Sequence, residues 1–144
     1  MTKEKAYGIC LYKKNKNGIE ILLCKSTQSK KKWGFLKGVA QDNETQKQTA
    51  IREFYEESSI RVNYNHLENY FEQKNKDKDI GVFLVNYDRI GHINRYFSLN
   101  KLYSKYLSWE NSNVTFFDIN SLPEIKKKQI KLVEDVVLFL KKGK

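Results

Sequence analysis

One proline, one methionine, two cysteines and two histidines are all that the 144 residues hold of those types. With no stretch rich in proline, glycine or serine there is no candidate linker, and at this length one domain, residues 1–144, is expected. Two cysteines, Cys10 and Cys24, are too few for a disulfide-stapled secreted scaffold. The histidines, His66 and His92, stand at no metal-ligand spacing from either cysteine, so a zinc site is not expected. No apolar run approaches the ~20 residues that cross a bilayer, and no signal-peptide core follows Met1–Lys5. The expectation is a cytoplasmic protein with no membrane partner.

Lysine is plentiful, and the formal net charge is +10. Hydrophobic residues at 40% and aromatics at 13% still suffice for a packed core and argue against disorder. The charge is unevenly spread: residues 1–32 carry nine lysines against Glu4 and Glu20, whereas residues 38–60 carry Asp42, Glu44, Glu53, Glu56 and Glu57 against Lys47 and Arg52. Two readings of this acidic island stand side by side. Either it holds divalent cations while the basic surround attracts a polyphosphate, or lysine occupies whatever surface tolerates it.

Along the chain, residues 6–12 and 19–25 read as a hairpin closed by Asn17-Gly18, which would place Cys10 and Cys24 on opposite sheet faces. Trp33-Gly34-Phe35-Leu36-Lys37-Gly38 reads as a short strand ending in a glycine turn. Thr45 and Gln48 form a capping box that opens a helix running to about Ser58. Strands are expected at 67–73, 80–87 and 114–117. A last helix starts near Pro123 and repeats Ile125, Leu132, Val133, Val136, Val137 and Leu140 at helical spacing. The fold class is therefore α+β, a sandwich with two principal helices packed on a mixed sheet.

On the middle helix, Glu53, Glu56 and Glu57 fall within about 100° of one another, and Ala50, Ile51 and Phe54 form the adjacent stripe that can anchor the helix. Three aligned carboxylates repel, so they read either as a solvated acidic face or as a cation site. For a cation site, hard oxygen ligands on a rigid helix suit Mg²⁺, which accepts one or two carboxylates and fills its other positions with water or substrate oxygens.

The surrounding pattern narrows the choice. From Gly38 the chain reads five residues, Glu44, seven residues, Arg52-Glu53, Phe54, Tyr55, Glu56-Glu57, Ser58, Ser59 and Ile60. This resembles the Nudix box, the loop-helix-loop signature of hydrolases that act on nucleoside diphosphates linked to another group. Six fixed identities at roughly 5–7% each make a chance match on the order of one in 10⁷ per starting position. Trp33-Gly34-Phe35 and Lys37-Gly38 look like the approach to the box common in the family. Two positions depart from the pattern: Ser59 stands where the family has glycine, and Leu36 where it has proline. Neither change removes a carboxylate.

The resemblance implies a Nudix α/β/α sandwich, Glu53, Glu56 and Glu57 as metal ligands with the Gly38 carbonyl as a further one, and Mg²⁺, replaceable by Mn²⁺, as the cofactor. It implies catalytic roles for Glu53 and Glu57, an orienting role for Arg52, and Glu44 as a brace of the loop. In several members the general base is a glutamate outside the box, for which Glu110 is the candidate. Lys37 is a candidate phosphate contact and Trp33 a core anchor.

Residues 88–109 depart most from a minimal sandwich. Arg89, Arg95, Tyr96, Phe97, Tyr103, Tyr106 and Trp109 read either as a platform that stacks a nucleobase and holds its phosphates, or, through Leu99, Leu102, Tyr103, Tyr106 and Leu107, as a short amphipathic helix covering the sheet. Tyr87, Tyr103 and Arg95 are the substrate-binding candidates. The expected activity is Mg²⁺-dependent hydrolysis of a nucleoside polyphosphate, foremost a dinucleoside polyphosphate cut asymmetrically to ATP and AMP, or a nucleoside triphosphate. An RNA 5′-pyrophosphohydrolase and a non-catalytic nucleotide-binding regulator are the alternatives. The expected partners are a small nucleotide or an RNA 5′ end, with the protein a monomer or a homodimer.

Overall fold

Two near-continuous apolar runs, residues 6–12 and 21–24, flank a polar turn and build a long hairpin buried on both faces. In the computed structural model, which describes residues 3–29 and 31–143, β1 spans Glu4–Asn15 and β2 spans Gly18–Ser26. The turn sits earlier than expected: Asn15 pairs with Gly18 and Tyr12 with Ile21, leaving Lys16 and Asn17 as the turn residues. Asn15 Oδ1 accepts the Asn17 N–H at 2.8 Å, and Gly18 adopts φ 138°, open to a residue without a Cβ. The register moves by two residues, so the faces are preserved. Cys10 and Cys24 are both buried and free, each in a different hydrophobic cluster on either side of the sheet.

The remaining strands are β3 (Leu36–Val39), β4 (Tyr70–Gln73), β5 (Lys78–Asn86), β6 (Phe97–Ser98), β7 (Lys101–Leu102) and β8 (Asn111–Asp118). Their order is β4-β5-β1-β2-β8-β7-β6, with β3 paired to β1. Residues 12–15 of β1 pair with β2, whereas residues 6–9 pair antiparallel with β3, so β1 and β2 splay and β3 fills the fork. On the other edge β1 runs parallel to β5. Gly34 closes the fork against Cys24 through a reciprocal pair of backbone hydrogen bonds of 2.8 and 2.9 Å.

Two helices cover the sheet. Ala50 and Phe54 of α1 (Gln46–Ser58) pack with Ile9, Leu11 and Leu36 on one face. Leu132, Val133, Val136 and Leu140 of α2 (Ile130–Lys142) pack with Cys10, Ile21 and Leu23 on the other. Each large apolar side chain so buried contributes about 1.5–3 kcal/mol, and together they fix a mixed sheet between helices, an α/β/α sandwich.

Several boundaries differ from expectation. Trp33 and Gly34 make only isolated bridges, and the regular strand begins at Leu36. The strand expected at 67–73 is regular only from Tyr70. The last α-helix starts at Ile130, because Ile125 pairs with Trp33 and only a 3₁₀ turn at Lys127–Gln129 lies between that bridge and the helix. Residues 99–107 form no amphipathic α-helix. Leu99 takes φ 58°, which turns the chain from β6 into β7, and only Ser104–Tyr106 winds into one 3₁₀ turn.

Candidate active site

The capping box expected at the start of α1 is formed: Thr45 Oγ1 accepts the Gln48 N–H at 3.1 Å and Gln48 Oε1 accepts the Thr45 N–H at 2.8 Å. The helix ends at Ser59, whose backbone is left-handed with φ 67° and whose N–H donates to the Tyr55 carbonyl. Ser58 Oγ donates to the Phe54 carbonyl at 2.6 Å and accepts the Ile60 N–H at 3.1 Å, which stitches the exit of the helix to the next loop. Between these ends the acidic stripe faces a cavity of about 570 Å³. Glu53, Glu56, Glu57 and Glu110 line this cavity together with Lys37, Lys78 and Lys126.

Arg52 organises one edge of the stripe. Its Nε and Nη2 clamp both oxygens of Glu44, Nη1 donates to Glu53 Oε2 at 2.8 Å, and Nη2 also reaches the Val39 carbonyl at 3.2 Å. Glu56, half exposed, lies at the rim of this network, 3.4 Å from Nη1. Glu44 also accepts from the Thr49 hydroxyl at 2.8 Å and the Gln41 N–H at 2.9 Å. Its hydrogen bonds to Arg52 hold its carboxyl down at about 2. Glu44 is thus a brace between the loop and the helix, and it does not line the cavity.

Glu57 lies deeper, 7% exposed, with Asn111 Nδ2 donating to Oε1 at 3.3 Å. Burial pushes its pKa up to about 8. Burial raises Glu53 as well, with Arg52 opposing the shift. Lys37 is half-buried, and its pKa is lowered first by desolvation and then by the neighbouring charges of Lys78 and Lys126. The cavity therefore carries a deeply buried carboxylate, Glu57, with only the neutral Asn111 amide as hydrogen-bond partner among the described residues, and lysines that repel one another, an arrangement that a cation and an anion together would relieve.

The donor set fits a hard divalent cation. Among the described residues no three acidic, histidine or cysteine side chains converge on one point. Mg²⁺ needs only one or two carboxylates, however, because it keeps waters and substrate phosphates as its other ligands. Glu53, Glu56 and Glu57, with the backbone of Gly38 in the same cavity wall, provide hard oxygens.

A family model described as NUDIX domain matches residues 2–135. The chain belongs to the NUDIX family. It is a Nudix hydrolase, of a family that acts on pyrophosphate bonds of small nucleotides and generally uses divalent metal ions. No curated protein matches the chain. Among solved structures, an Ap4A hydrolase from C. elegans in a binary complex is 21% identical over 96% of this chain and 93% of its own, with a TM-score of 0.58. A NUDIX hydrolase from Nitrosomonas europaea is 19% identical over 99% and 73%, at 0.64. A MutT protein from Methanosarcina mazei Go1 is 16% identical over 99% and 99%, at 0.61. At these identities the neighbours establish the Nudix fold.

Of the residues singled out in the sequence, Gly38, Glu53, Glu56, Glu57, Lys37 and Glu110 come together in one cavity, and Arg52 touches two of its carboxylates. The Nudix hydrolase does not bring Tyr87, Tyr103 and Arg95 there. Tyr87 packs against Phe97 and Phe116, Tyr103 lines a separate groove with Leu102 and Leu107, and Arg95 is exposed on a 3₁₀ turn. Asn111, Lys78 and Lys126 are cavity residues that the sequence reading missed. Asn111 adjoins Glu110 and is recognisable in hindsight, whereas only the sheet pairing brings Lys78 and Lys126 near α1. No helix is long and apolar enough to cross a membrane.

Proposed function

We propose that the protein is a Mg²⁺-dependent hydrolase of nucleoside polyphosphates, with dinucleoside polyphosphates as the preferred class and diadenosine tetraphosphate cut to ATP and AMP. The carrying observation is that one cavity holds Glu53, Glu56 and Glu57 together with Lys37, Lys78 and Lys126. Carboxylates suit the cation and lysines suit the phosphate chain, and both sets are needed only when two or more linked phosphates are bound. Among the described residues Lys37 and Lys126 form no ion pair, which leaves their charge for a substrate. The fold shared with an Ap4A hydrolase supports the same substrate class.

In this reading Glu53, Glu56, Glu57 and the Gly38 carbonyl hold the metal, which supplies charge neutralisation at the bridging oxygens. Arg52 fixes the carboxylates, Lys37 binds phosphate, and Glu110 accepts the proton of the attacking water, with Glu53 as the second candidate for that proton. A nucleotide substrate fits a cytoplasmic location. An RNA 5′ end is the second reading, supported by the exposed Lys127 and Lys128 that follow Lys126 out of the cavity.

Turnover of diadenosine tetraphosphate in ¹⁸O-labelled water with Mg²⁺ tests the reading. Label in AMP supports it. Label in ATP, turnover restricted to 5′-triphosphorylated RNA, or no turnover on any polyphosphate would overturn it. Monophosphate esters are expected to be inert.

A further inference from the structure

A nucleoside polyphosphate has an anionic end and an end with a flat π-face, and the lysines and carboxylates account only for the first. Trp109 lines the same cavity and is 84% exposed. The chain has only two tryptophans. Trp33 is occupied, set edge-on to Phe117 with ring centroids 4.7 Å apart and with the Lys25 amine 5.5 Å from its ring. Among the described residues Trp109 meets no other ring and carries no cation on its face. An exposed indole at the mouth of a charged cavity presents a free π-face, and a flat ring laid over it would take the apolar surface of both out of water.

The backbone beneath this side chain is held firmly. The Glu110 carbonyl accepts the Thr27 N–H at 2.8 Å, and the Asn111 N–H donates to the Ser108 carbonyl at 3.1 Å. The Glu110 N–H donates to Ser108 Oγ at 3.2 Å, and Ser112 Oγ donates to the Lys25 carbonyl at 3.2 Å. A pinned loop that presents an unpacked ring at the edge of a charged cavity is preorganised for stacking, because little backbone entropy remains to be lost on binding.

We infer that Trp109 is the stacking platform for the nucleobase of the substrate, with the phosphate chain running from it toward Lys37, Lys78 and Lys126. The inference rests on the polyphosphate reading of the cavity and adds a specificity determinant to it. It also moves base recognition away from Tyr87 and Tyr103, which lie outside this cavity. Stacking tolerates any base, and a purine, with its larger face, should bind better than a pyrimidine.

The test uses ADP and inorganic tripolyphosphate as probes, both with Mg²⁺. In Trp33→Phe, tryptophan emission, excited selectively beyond the tyrosine absorption, comes from Trp109 alone, and ADP is expected to quench it while tripolyphosphate leaves it unchanged. Trp109→Ala is expected to weaken ADP by about 10- to 100-fold and leave tripolyphosphate affinity within about twofold. Trp109→Phe should keep most of the ADP affinity, which separates loss of stacking from loss of folding. Equal weakening of both probes, no weakening of either, or no ADP binding to the unaltered protein would overturn the platform. Turnover without a base-dependent effect of Trp109 would sink this inference and leave the hydrolase reading standing. Trp109-dependent ADP binding without any turnover would do the reverse.

Discussion

The carboxyl group of Glu53 lies so close against Gly38 that a Cβ built on the glycine would fall 2.0 Å from Glu53 Cδ. The backbone of Gly38 is not left-handed, so its glycine is demanded by this approach rather than by its own torsions. Alanine at this position would meet the far end of a flexible side chain, which can swing away at modest cost. Gly38→Ala is therefore expected to lower stability by no more than about 1–2 kcal/mol while cutting kcat by about 100-fold or more, because Glu53 leaves the cavity wall. Thermal unfolding and turnover measured on one preparation check the split. A variant that loses stability and keeps its turnover would contradict it.

Ser59 ends α1 with φ 67°, a backbone that glycine adopts freely and serine does not. The neighbouring Ser58 hydroxyl makes the local contacts, to the Phe54 carbonyl and the Ile60 N–H. Ser59→Gly should therefore be stabilising, by up to about 1 kcal/mol, with turnover unchanged. A drop in Tm would reveal a contribution of the Ser59 hydroxyl that outweighs the relief of strain.

The parts of this molecule that were legible in the sequence are those set by local physics. Thr45 and Gln48 announce the start of α1, the 3.6-residue period of Leu132, Val133, Val136 and Leu140 announces α2, and the tight pattern from Gly38 to Ile60 marks the acidic stripe. Positions that depend on distant pairing were not legible. The insert near Leu99 is a short hairpin because a left-handed Leu99 lets β6 and β7 pair, an arrangement that its amphipathic spacing does not predict. Lys78 reaches the cavity only because β5 lies beside β1, and Lys126 only because its N–H donates to the Trp33 carbonyl. Tyr87 looked like a binding residue by type, but Phe97 and Phe116 claim its ring for the core.

Glu57 is the most buried member of the stripe, and Asn111 is its one side-chain hydrogen-bond partner among the described residues. Holding an ionised carboxylate there without a cation is costly, so Glu57→Gln should leave the metal-free protein at least as stable as the unaltered one. The same change removes a negative ligand at nearly constant volume, and kcat is expected to fall by about 10³-fold or more even with saturating Mg²⁺. Calorimetric unfolding with and without Mg²⁺ provides a second readout, since the variant should lose most of the stabilisation that the ion gives. Near-normal turnover at saturating Mg²⁺ would remove Glu57 from the metal site.

Glu44 and Arg52 tie the loop after β3 to α1, and the pairing has a definite sign with pH. The Glu44 carboxyl, ordinarily titrating at 4.5, is held at about 2 by its hydrogen bonds to Arg52. Above pH 4.5 the folded and unfolded chains both carry the charge, and the pair stabilises the fold in full. As pH falls below 4.5 the unfolded chain takes up the proton first, and the contribution is lost progressively until the folded pKa is passed. Glu44→Gln should therefore cost about 1–2 kcal/mol at pH 7, a Tm decrease of about 3–6 °C, with the gap to the unaltered protein closing between pH 4.5 and pH 2. Freed from its clamp, Arg52 no longer fixes Glu53, so kcat should drop by about tenfold at pH 7 with the metal site otherwise intact. Melting curves of both proteins across this range decide the matter: a gap that stays constant down to pH 2 would show that Glu44 braces the loop through its neutral hydrogen bonds to Thr49 and Gln41 and not through the ion pair.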